Sequence, residues 1–171
     1  VINRIMPRDE FPVLTGKKVA IFIGAHKPWS NELTDAVDSF CEKYNSVVLC
    51  EHAANYTGKY GVNGSIVASQ IEYDALCRQM DVLIHLGDIA GTSLKIKPKH
   101  VWRVNPDGEI RDIYKKLRYV FEMEEETFFE KYVSKAADTE VNTAYYNEWK
   151  QETDSLRDKI SELPFSNVWI A

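Results

Sequence analysis

The sequence predicts an α/β domain of three layers, with helices on both faces of a mainly parallel sheet. Short apolar runs alternate along the chain with segments of helical periodicity, the order that produces parallel strands joined by crossovers. Several of these runs are apolar throughout, as in strands buried on both faces. With 171 residues, 44% of them hydrophobic and 27% charged, the chain has the size and composition of one folded domain.

The first third of the chain predicts the order strand, helix, strand. The run from Lys18 to Ile23 is closed by Gly24, which is typical of a short buried strand. Ser30 or Asn31 then caps a helix. Its apolar positions recur at helical spacing, namely Leu33, Ala36, Val37, Phe40, Cys41 and Tyr44. Ser46–Cys50 follows as the second strand.

The middle of the chain predicts a long loop, a helix and two further strands. Glu51–Gly64 is rich in Gly, Asn and Tyr and is interpreted as a loop. Ser65–Met80 is predicted to be a helix, Asp81–Leu86 the third strand and, after a loop to Pro98, His100–Val104 the fourth. The residues predicted to face inward from this helix are Ile66, Val67, Ile71, Leu76, Cys77 and Met80.

The last third predicts a turn, a strand and two helices. Asn105–Gly108 is a turn, because Pro presets φ at its second position and Gly tolerates positive φ. Leu117–Met123 is predicted as the fifth strand, with a helix as the alternative. Glu124–Ala137 and Val141–Leu163 are predicted helices; the acidic start of the first complements its macrodipole. Val141, Tyr145, Trp149, Leu156, Ile160 and Leu163 form the apolar face of the second. The whole predicts a Rossmann-like domain.

Charge, hydropathy and cysteine content exclude several classes of protein. The net charge of −5 comes without a basic stripe, so nucleic acid is not expected as a partner. The longest apolar run, Val19 to Ile23, is far shorter than a membrane span. Cys41, Cys50 and Cys77 are odd in number and lack Cys-x-x-Cys spacing, so neither a disulfide framework nor a zinc site is expected. These features favour a cytoplasmic protein.

Both ends of the sequence predict a piece of a longer polypeptide. The chain opens at Val1 without Met, and residues 1–15 are interpreted as a linker from an upstream domain. Residues 16–165 form the predicted domain. In residues 166–171, Ser166 and Asn167 could cap a helix that the sequence does not complete, so this segment is interpreted as the start of a downstream domain.

Candidate binding residues come from the loops that follow the strands, because parallel sheets bind ligands outside their carboxyl ends. The candidates are Gly24, His26, Lys27, Glu51, Asn105 and Asp107. A dinucleotide site needs several glycines after the first strand, and the loop Gly24–Trp29 has one, so a tight turn is favoured. His26 and Lys27 could hold an anion, although a solvated pair is favoured; His85 is interpreted as a satisfied core histidine. No residue is assigned a catalytic or metal-binding role.

Four segments resemble the central domain of thiamine-diphosphate-dependent enzymes related to acetolactate synthase and pyruvate oxidase. They are Gly16–Gly24, Ser46–Cys50 with its following loop, Asp81–Gly87 and Val101–Gly108. The resemblance implies a parent enzyme that binds thiamine diphosphate and Mg²⁺ between a pyrimidine-binding and a pyrophosphate-binding domain, usually from two subunits. The metal motif of that family, Gly-Asp-Gly followed by Asn, is not matched, since Gly87 and Asp88 are followed by Ile.

The resemblance also implies what this chain would do. The parent would decarboxylate a 2-oxo acid and transfer the acyl unit, as a homo-oligomer, while this part would be a non-catalytic scaffold that holds no cofactor. In some relatives the central domain binds the adenosine part of FAD, ADP or CoA. A nucleotide-binding regulatory domain, with its ligand over Gly24–Trp29 and Asn105–Gly108, is therefore the alternative, and a structural interaction domain without ligand is a third.

Overall fold

In the part of the chain that the structure describes, seven strands form a parallel sheet that is the middle layer of the fold. The computed structural model describes residues 1–69, 74–88, 94–137 and 140–160. The strands are β1 (Asn3–Ile5), β2 (Val19–Ile23), β3 (Val47–Cys50), β4 (Gly61–Asn63), β5 (Gln79–Leu86), β6 (Lys97–Val104) and β7 (Leu117–Phe121). Their order across the sheet is β1-β7-β6-β5-β2-β3-β4, and each neighbouring pair is parallel.

Helices cover both faces of this sheet and complete the three layers. They are α1 (Asn31–Tyr44), α2 (Gly64–Ala68), α3 (Glu125–Lys135) and α4 (Ala144–Ile160), with a short 3₁₀ helix at Leu76–Arg78. Alternate residues of the strands pack with α1 and α3 on one face and with α2 and α4 on the other. The predicted three-layer, Rossmann-like fold is confirmed.

Helix α1 shows why the strongest prediction from the sequence is correct. The Ser30 side chain accepts a hydrogen bond from the backbone N–H of Leu33 at 3.0 Å, which satisfies a free donor of the first turn. At the other end, Asn45 takes the left-handed conformation with φ of 46°. Between these caps, Val37 and Phe40 are fully buried against the sheet. Local caps and periodicity agree here, so no distant contact is needed to define the helix.

Residues 65–80 are predicted as one helix, but their described part contains the end of a short helix, a 3₁₀ turn and the start of β5. Leu76, predicted to face inward, is 74% exposed. Met80 is buried, but as a strand residue opposite Pro98 of β6. The backbone N–H groups of Asp81 and Val82 both donate to the Lys18 carbonyl, which anchors this end of β5 to β2. Strand pairing therefore overrides the helical periodicity; Ile71 lies outside the described residues.

Strand β6 begins earlier than predicted, and a proline lies inside it. Pro98 pairs with β5 on one side, whereas the pairing with β7 begins only at Val101. The first residues of β6 thus have one neighbouring strand, and a residue without a backbone N–H is tolerated there. At α4 the helix begins at Ala144 and not at Val141, which is 63% exposed. Predicted helical residues 161–163 lie outside the described residues.

Residues 1–15, predicted as an extended linker, are part of the folded body. Asn3–Ile5 pairs in register with β7 as an edge strand. Phe11 is 5% exposed, and its ring lies 5.2 Å from that of Phe121 and 5.3 Å from that of Tyr132, between centroids. Lys131 Nζ also donates to backbone carbonyls of this segment. The edge strands β1 and β4 have three residues each, too few to show a periodic pattern.

The order of the strands defines where a ligand site is expected. From β2 the chain passes outward to β3 and β4, then returns to the opposite side of β2 to form β5, β6 and β7. The side on which successive strands are added to the sheet therefore changes between β2 and β5, which is the topological switch point. In open parallel sheets, ligands bind outside the carboxyl ends of the strands at such a switch point. This places the candidate site beside the loops that follow Ile23 and Leu86.

Candidate functional site

A cavity of about 220 Å³ lies at this switch point and contains half of the predicted binding residues. His26, Lys27 and Asn105 line it. The other lining residues are Ala25, Gly87, Asp88, Pro106, Glu124 and Glu125. The structure brings these loops together because the carboxyl ends of parallel strands meet at one edge of the sheet.

The remaining predicted residues lie outside this cavity. Gly24 is buried, and its N–H donates to the carbonyl of Leu86 at 3.2 Å. Asp107 is exposed in the predicted turn, where its N–H donates to Asn105 Oδ1 and its carboxylate accepts from the N–H of Glu109. Glu51 lines a different cavity of about 270 Å³, because β3 lies on the far side of β2 from β5 and β6.

The two loops at the switch point are joined to each other by backbone hydrogen bonds. Ala25 and Asp88 form an isolated antiparallel bridge, with N–H to O=C distances of 3.1 and 2.8 Å. Gly87 makes this approach possible, since it has φ of +69° and a Cβ there would lie 2.5 Å from the Ala25 carbonyl oxygen. The bridge joins the loop after β2 to the loop after β5 at the side of this cavity.

His26 is held on both ring nitrogens by acceptors. Nδ1 lies 2.7 Å from the carbonyl oxygen of Lys27, and Nε2 lies 2.7 Å from a carboxylate oxygen of Glu125. The ring also stacks on Trp29 at 4.4 Å between centroids. Both contacts require a donated proton, so the geometry fits an imidazolium. Burial alone would lower the pKa of His26, but the hydrogen bond and charge of Glu125 outweigh it and raise that pKa.

This ion pair changes the chemistry expected at the cavity. Only 3% of the His26 side chain and 13% of the Glu125 side chain are exposed, so the pair is largely shielded from water. His26, predicted as half of a candidate anion site, here compensates a carboxylate. Glu125 begins α3, so the pair joins the loop after β2 to the start of that helix. From the sequence, Glu125 was one of three acidic residues at the start of a predicted helix, and nothing there indicated its contact with His26.

The cavity that contains Glu51 offers a different environment. Burial raises the pKa of Glu51, while neighbouring His52 acts in the opposite direction. Its Oε1 atom is buried and has no hydrogen-bond partner within the described ranges. Asp38 reaches the adjoining loop from α1: its carboxylate accepts from Tyr56 Oη and from the N–H of Lys59. This loop is therefore fixed to α1.

His85 of β5 and Arg103 of β6 form a buried pair that the sequence did not predict. Arg103 and His85 are both fully buried and are register partners across the two strands. Arg103 Nη1 donates to the Gly87 carbonyl at 2.7 Å and lies 3.2 Å from His85 Nδ1. His85, interpreted as a satisfied core histidine, is buried, but its Nε2 has no partner among the residues described. The available signal was one arginine among the apolar residues of the segment 101–104.

Comparisons with known proteins give no family for this chain. No model of a known protein family matches the sequence, and no curated protein matches it. In the described part of the chain, no helix combines the length and apolar character needed to cross a bilayer. Nor do three or more His, Cys, Asp or Glu side chains gather there in a way that could hold a metal ion.

Proposed function

We propose that this chain is the central, scaffolding domain of a thiamine-diphosphate-dependent enzyme. The observation that supports a scaffold most directly is that the loops at the switch point are bonded to neighbouring parts of the protein. Where a doubly wound sheet would hold a nucleotide, the Ala25–Asp88 bridge and the His26–Glu125 ion pair join the surrounding loops to each other. These contacts stabilise the domain itself, and a nucleotide phosphate that approached the amides of these loops would have to break them.

The parent enzyme in this proposal decarboxylates a 2-oxo acid and transfers the acyl unit. Its proposed closest relative is 2-succinyl-5-enolpyruvyl-6-hydroxy-3-cyclohexene-1-carboxylate synthase, the thiamine-diphosphate enzyme of menaquinone synthesis. Thiamine diphosphate and Mg²⁺ would be held by the two other domains, and the cofactor would supply the acyl-carrying chemistry. In this chain Asp88 is already paired with Arg111 at 2.9 Å, which supports leaving it out of a metal-binding role.

The amino-terminal segment supports a role in holding domains together. Residues 3–5 add an edge strand to the sheet, and Phe11 packs into the core beside α3. In the proposed parent, this segment would be the connection to the pyrimidine-binding domain. A connection that is built into a sheet and a core fixes the position at which the neighbouring domain begins, which is what a scaffold requires.

Calorimetric titration with thiamine diphosphate and Mg²⁺ tests the proposal. The 171-residue chain is expected to show neither saturable binding of the cofactor nor turnover of a 2-oxo acid, with Mg²⁺ alone as the blank titration. Saturable binding at micromolar concentration would contradict the scaffold role. The flanking coding sequence gives an independent test: we expect Gly-Asp-Gly followed by Asn downstream and an activating glutamate upstream.

A thermal-shift screen with FAD, ADP, NAD and CoA separates the scaffold from a nucleotide-binding regulatory domain. A ligand that binds only the folded state raises the melting temperature. The scaffold proposal predicts no saturable shift with any of the four. A shift that saturates with one of them, and that Asn105→Ala weakens, would favour the regulatory domain instead. Asn105 suits this test because it lines the cavity at the switch point.

A further inference from the structure

The guanidinium of Arg103 is buried between β5 and the carboxyl end of β6 without a carboxylate in contact among the described residues. The residue is 0% exposed, yet it forms no ion pair within the described ranges. Arginine stays protonated in proteins, so this is a buried positive charge. Burying an ion without a partner is strongly unfavourable. An anion in direct contact with the guanidinium would therefore stabilise it.

The carboxylates that act on the Arg103 charge through space form hydrogen bonds or ion pairs with other groups. Asp88, Asp107 and Glu125 each act on Arg103 through space, without a contact to it. Asp88 is paired with Arg111, Asp107 accepts a backbone N–H, and Glu125 is paired with His26. Arg111 also adds a second positive charge near Arg103. None of these three carboxylates contacts the guanidinium, so its charge has no hydrogen-bonded counter-ion in the part of the chain described.

The unpartnered atoms of Arg103 form one edge of its guanidinium. Nη1 is used by the Gly87 carbonyl and by His85, whereas Nε and Nη2 have no partner in the part of the chain described. Nε–H and Nη2–H point in parallel from the same side of the planar group. This side-on fork matches the spacing of two oxygens in a carboxylate or phosphoryl group.

His85 adds a further donor beside this fork. Burial first, and then the charges of Arg103 and Arg111, lower the pKa of His85 to about 3, so the ring is neutral. Because Arg103 can only donate, Nδ1 of His85 accepts from it and the ring proton lies on Nε2. That Nε2–H is buried and also unpartnered within the described residues. The pair thus offers three free donors and no free acceptor.

From these contacts we infer that Arg103 and His85 form a binding site for an oxyanion, the carboxylate or phosphoryl group of a small ligand. Arg103 is the penultimate residue of β6, so the site lies at the carboxyl end of the sheet, on the face covered by α2 and α4. The side-on fork would bind two oxygens of the ligand. This inference does not depend on the proposed scaffold role.

Thermal unfolding of the 171-residue chain with acetate or inorganic phosphate tests the inference. Each anion is titrated at constant ionic strength, with chloride as the balancing ion. At about 100 times its dissociation constant, a ligand that binds only the folded chain raises the melting temperature by about 5 °C or more. Saturation with phosphate alone would identify a phosphoryl group, and saturation with acetate alone a carboxylate.

Three variants show whether the effect comes from the fork. Arg103→Met removes the charge and the fork and is expected to abolish the saturable shift. Arg118→Met removes a positive charge at an exposed position of β7 and is expected to leave the shift unchanged. Arg103→Lys keeps the charge but loses the fork, so the dissociation constant should rise about tenfold.

Two results would overturn the inference. One is that neither acetate nor phosphate gives a saturable shift, which would mean that water or the protein accepts the hydrogen bonds of the guanidinium. The other is an equal shift in the chain with Arg103→Met, which would mean that the anions act elsewhere. Should that variant not fold, an unchanged dissociation constant in Arg103→Lys would overturn it equally. The experiment contains no thiamine diphosphate, so its failure is distinct from that of the scaffold role.

Discussion

The ion pair between His26 and Glu125 makes the stability of the protein depend on pH in a defined direction. In the unfolded chain His26 titrates near its ordinary pKa of 6.5, whereas in the folded chain that pKa is raised. A raised pKa of a base gives stability that is fully present below pH 6.5 and is lost as pH rises through the folded value. The free energy of unfolding should therefore fall above pH 6.5 by this contribution.

Replacing Glu125 by Gln removes the charge from this pair while preserving the size of the side chain. A hydrogen bond to a charged group contributes about 1.5–3 kcal/mol, and both side chains here are largely shielded from water. We expect Glu125→Gln to lower the free energy of unfolding by about 2 kcal/mol at pH 6. That corresponds to a fall in melting temperature of about 4–8 °C for a chain of this size.

Urea denaturation at several pH values between 5.5 and 9 measures this effect. The difference between the unsubstituted chain and Glu125→Gln should be largest at the acidic end and should shrink as His26 loses its proton. Glu126→Gln is the matched control: it removes a charge from the same helical turn, but its carboxylate is exposed and contacts Ser30. Parallel pH profiles for the unsubstituted chain and Glu125→Gln would mean that the charge of Glu125 does not stabilise the protonated form of His26.

Three further outcomes are expected from contacts elsewhere in the fold. Gly87→Ala should lower the free energy of unfolding, measured by urea denaturation, by about 3 kcal/mol or more, because the added Cβ would meet the Ala25 carbonyl. Gly16→Ala is the control: it has a similar φ but open space around it, so it should lower the free energy of unfolding by only about 1–2 kcal/mol. Asp38→Ala should cost about 2–3 kcal/mol, because it leaves Tyr56 Oη without its acceptor; an unchanged midpoint would contradict this. Burial raises the pKa of all three thiols, so a thiol reagent at pH 8 should react fully only after unfolding.

The parts of the fold that are defined locally could be predicted from the sequence. Helix α1 has its own cap and periodicity, and β2 is an unbroken buried run. Strands β1 and β4 could not be predicted, because three residues carry no pattern and their pairing depends on distant partners. At residues 76–80, pairing with neighbouring strands decided the structure against a helical pattern that the residues themselves support.

The location of the candidate site could be predicted from the sequence, but the contacts of its residues could not. The rule for parallel sheets brought His26, Lys27 and Asn105 to one cavity. Their partners could not be foreseen, because Glu125 reaches His26 from 99 residues along the chain and no local spacing encodes that contact. Arg103 lies in the buried second half of β6, and the contacts of its guanidinium are visible only in three dimensions.

In the proposed scaffold, the loops at the switch point are joined to each other by the Ala25–Asp88 bridge and the His26–Glu125 pair and hold no nucleotide. A crystal structure of the chain grown with ADP tests this most directly. We expect the Ala25–Asp88 bridge and the His26–Glu125 pair to be intact, with no nucleotide between the loops after β2 and β5. A nucleotide phosphate bound to the amides of residues 24–29, with the bridge broken, would show that these loops form a nucleotide site and not a scaffold.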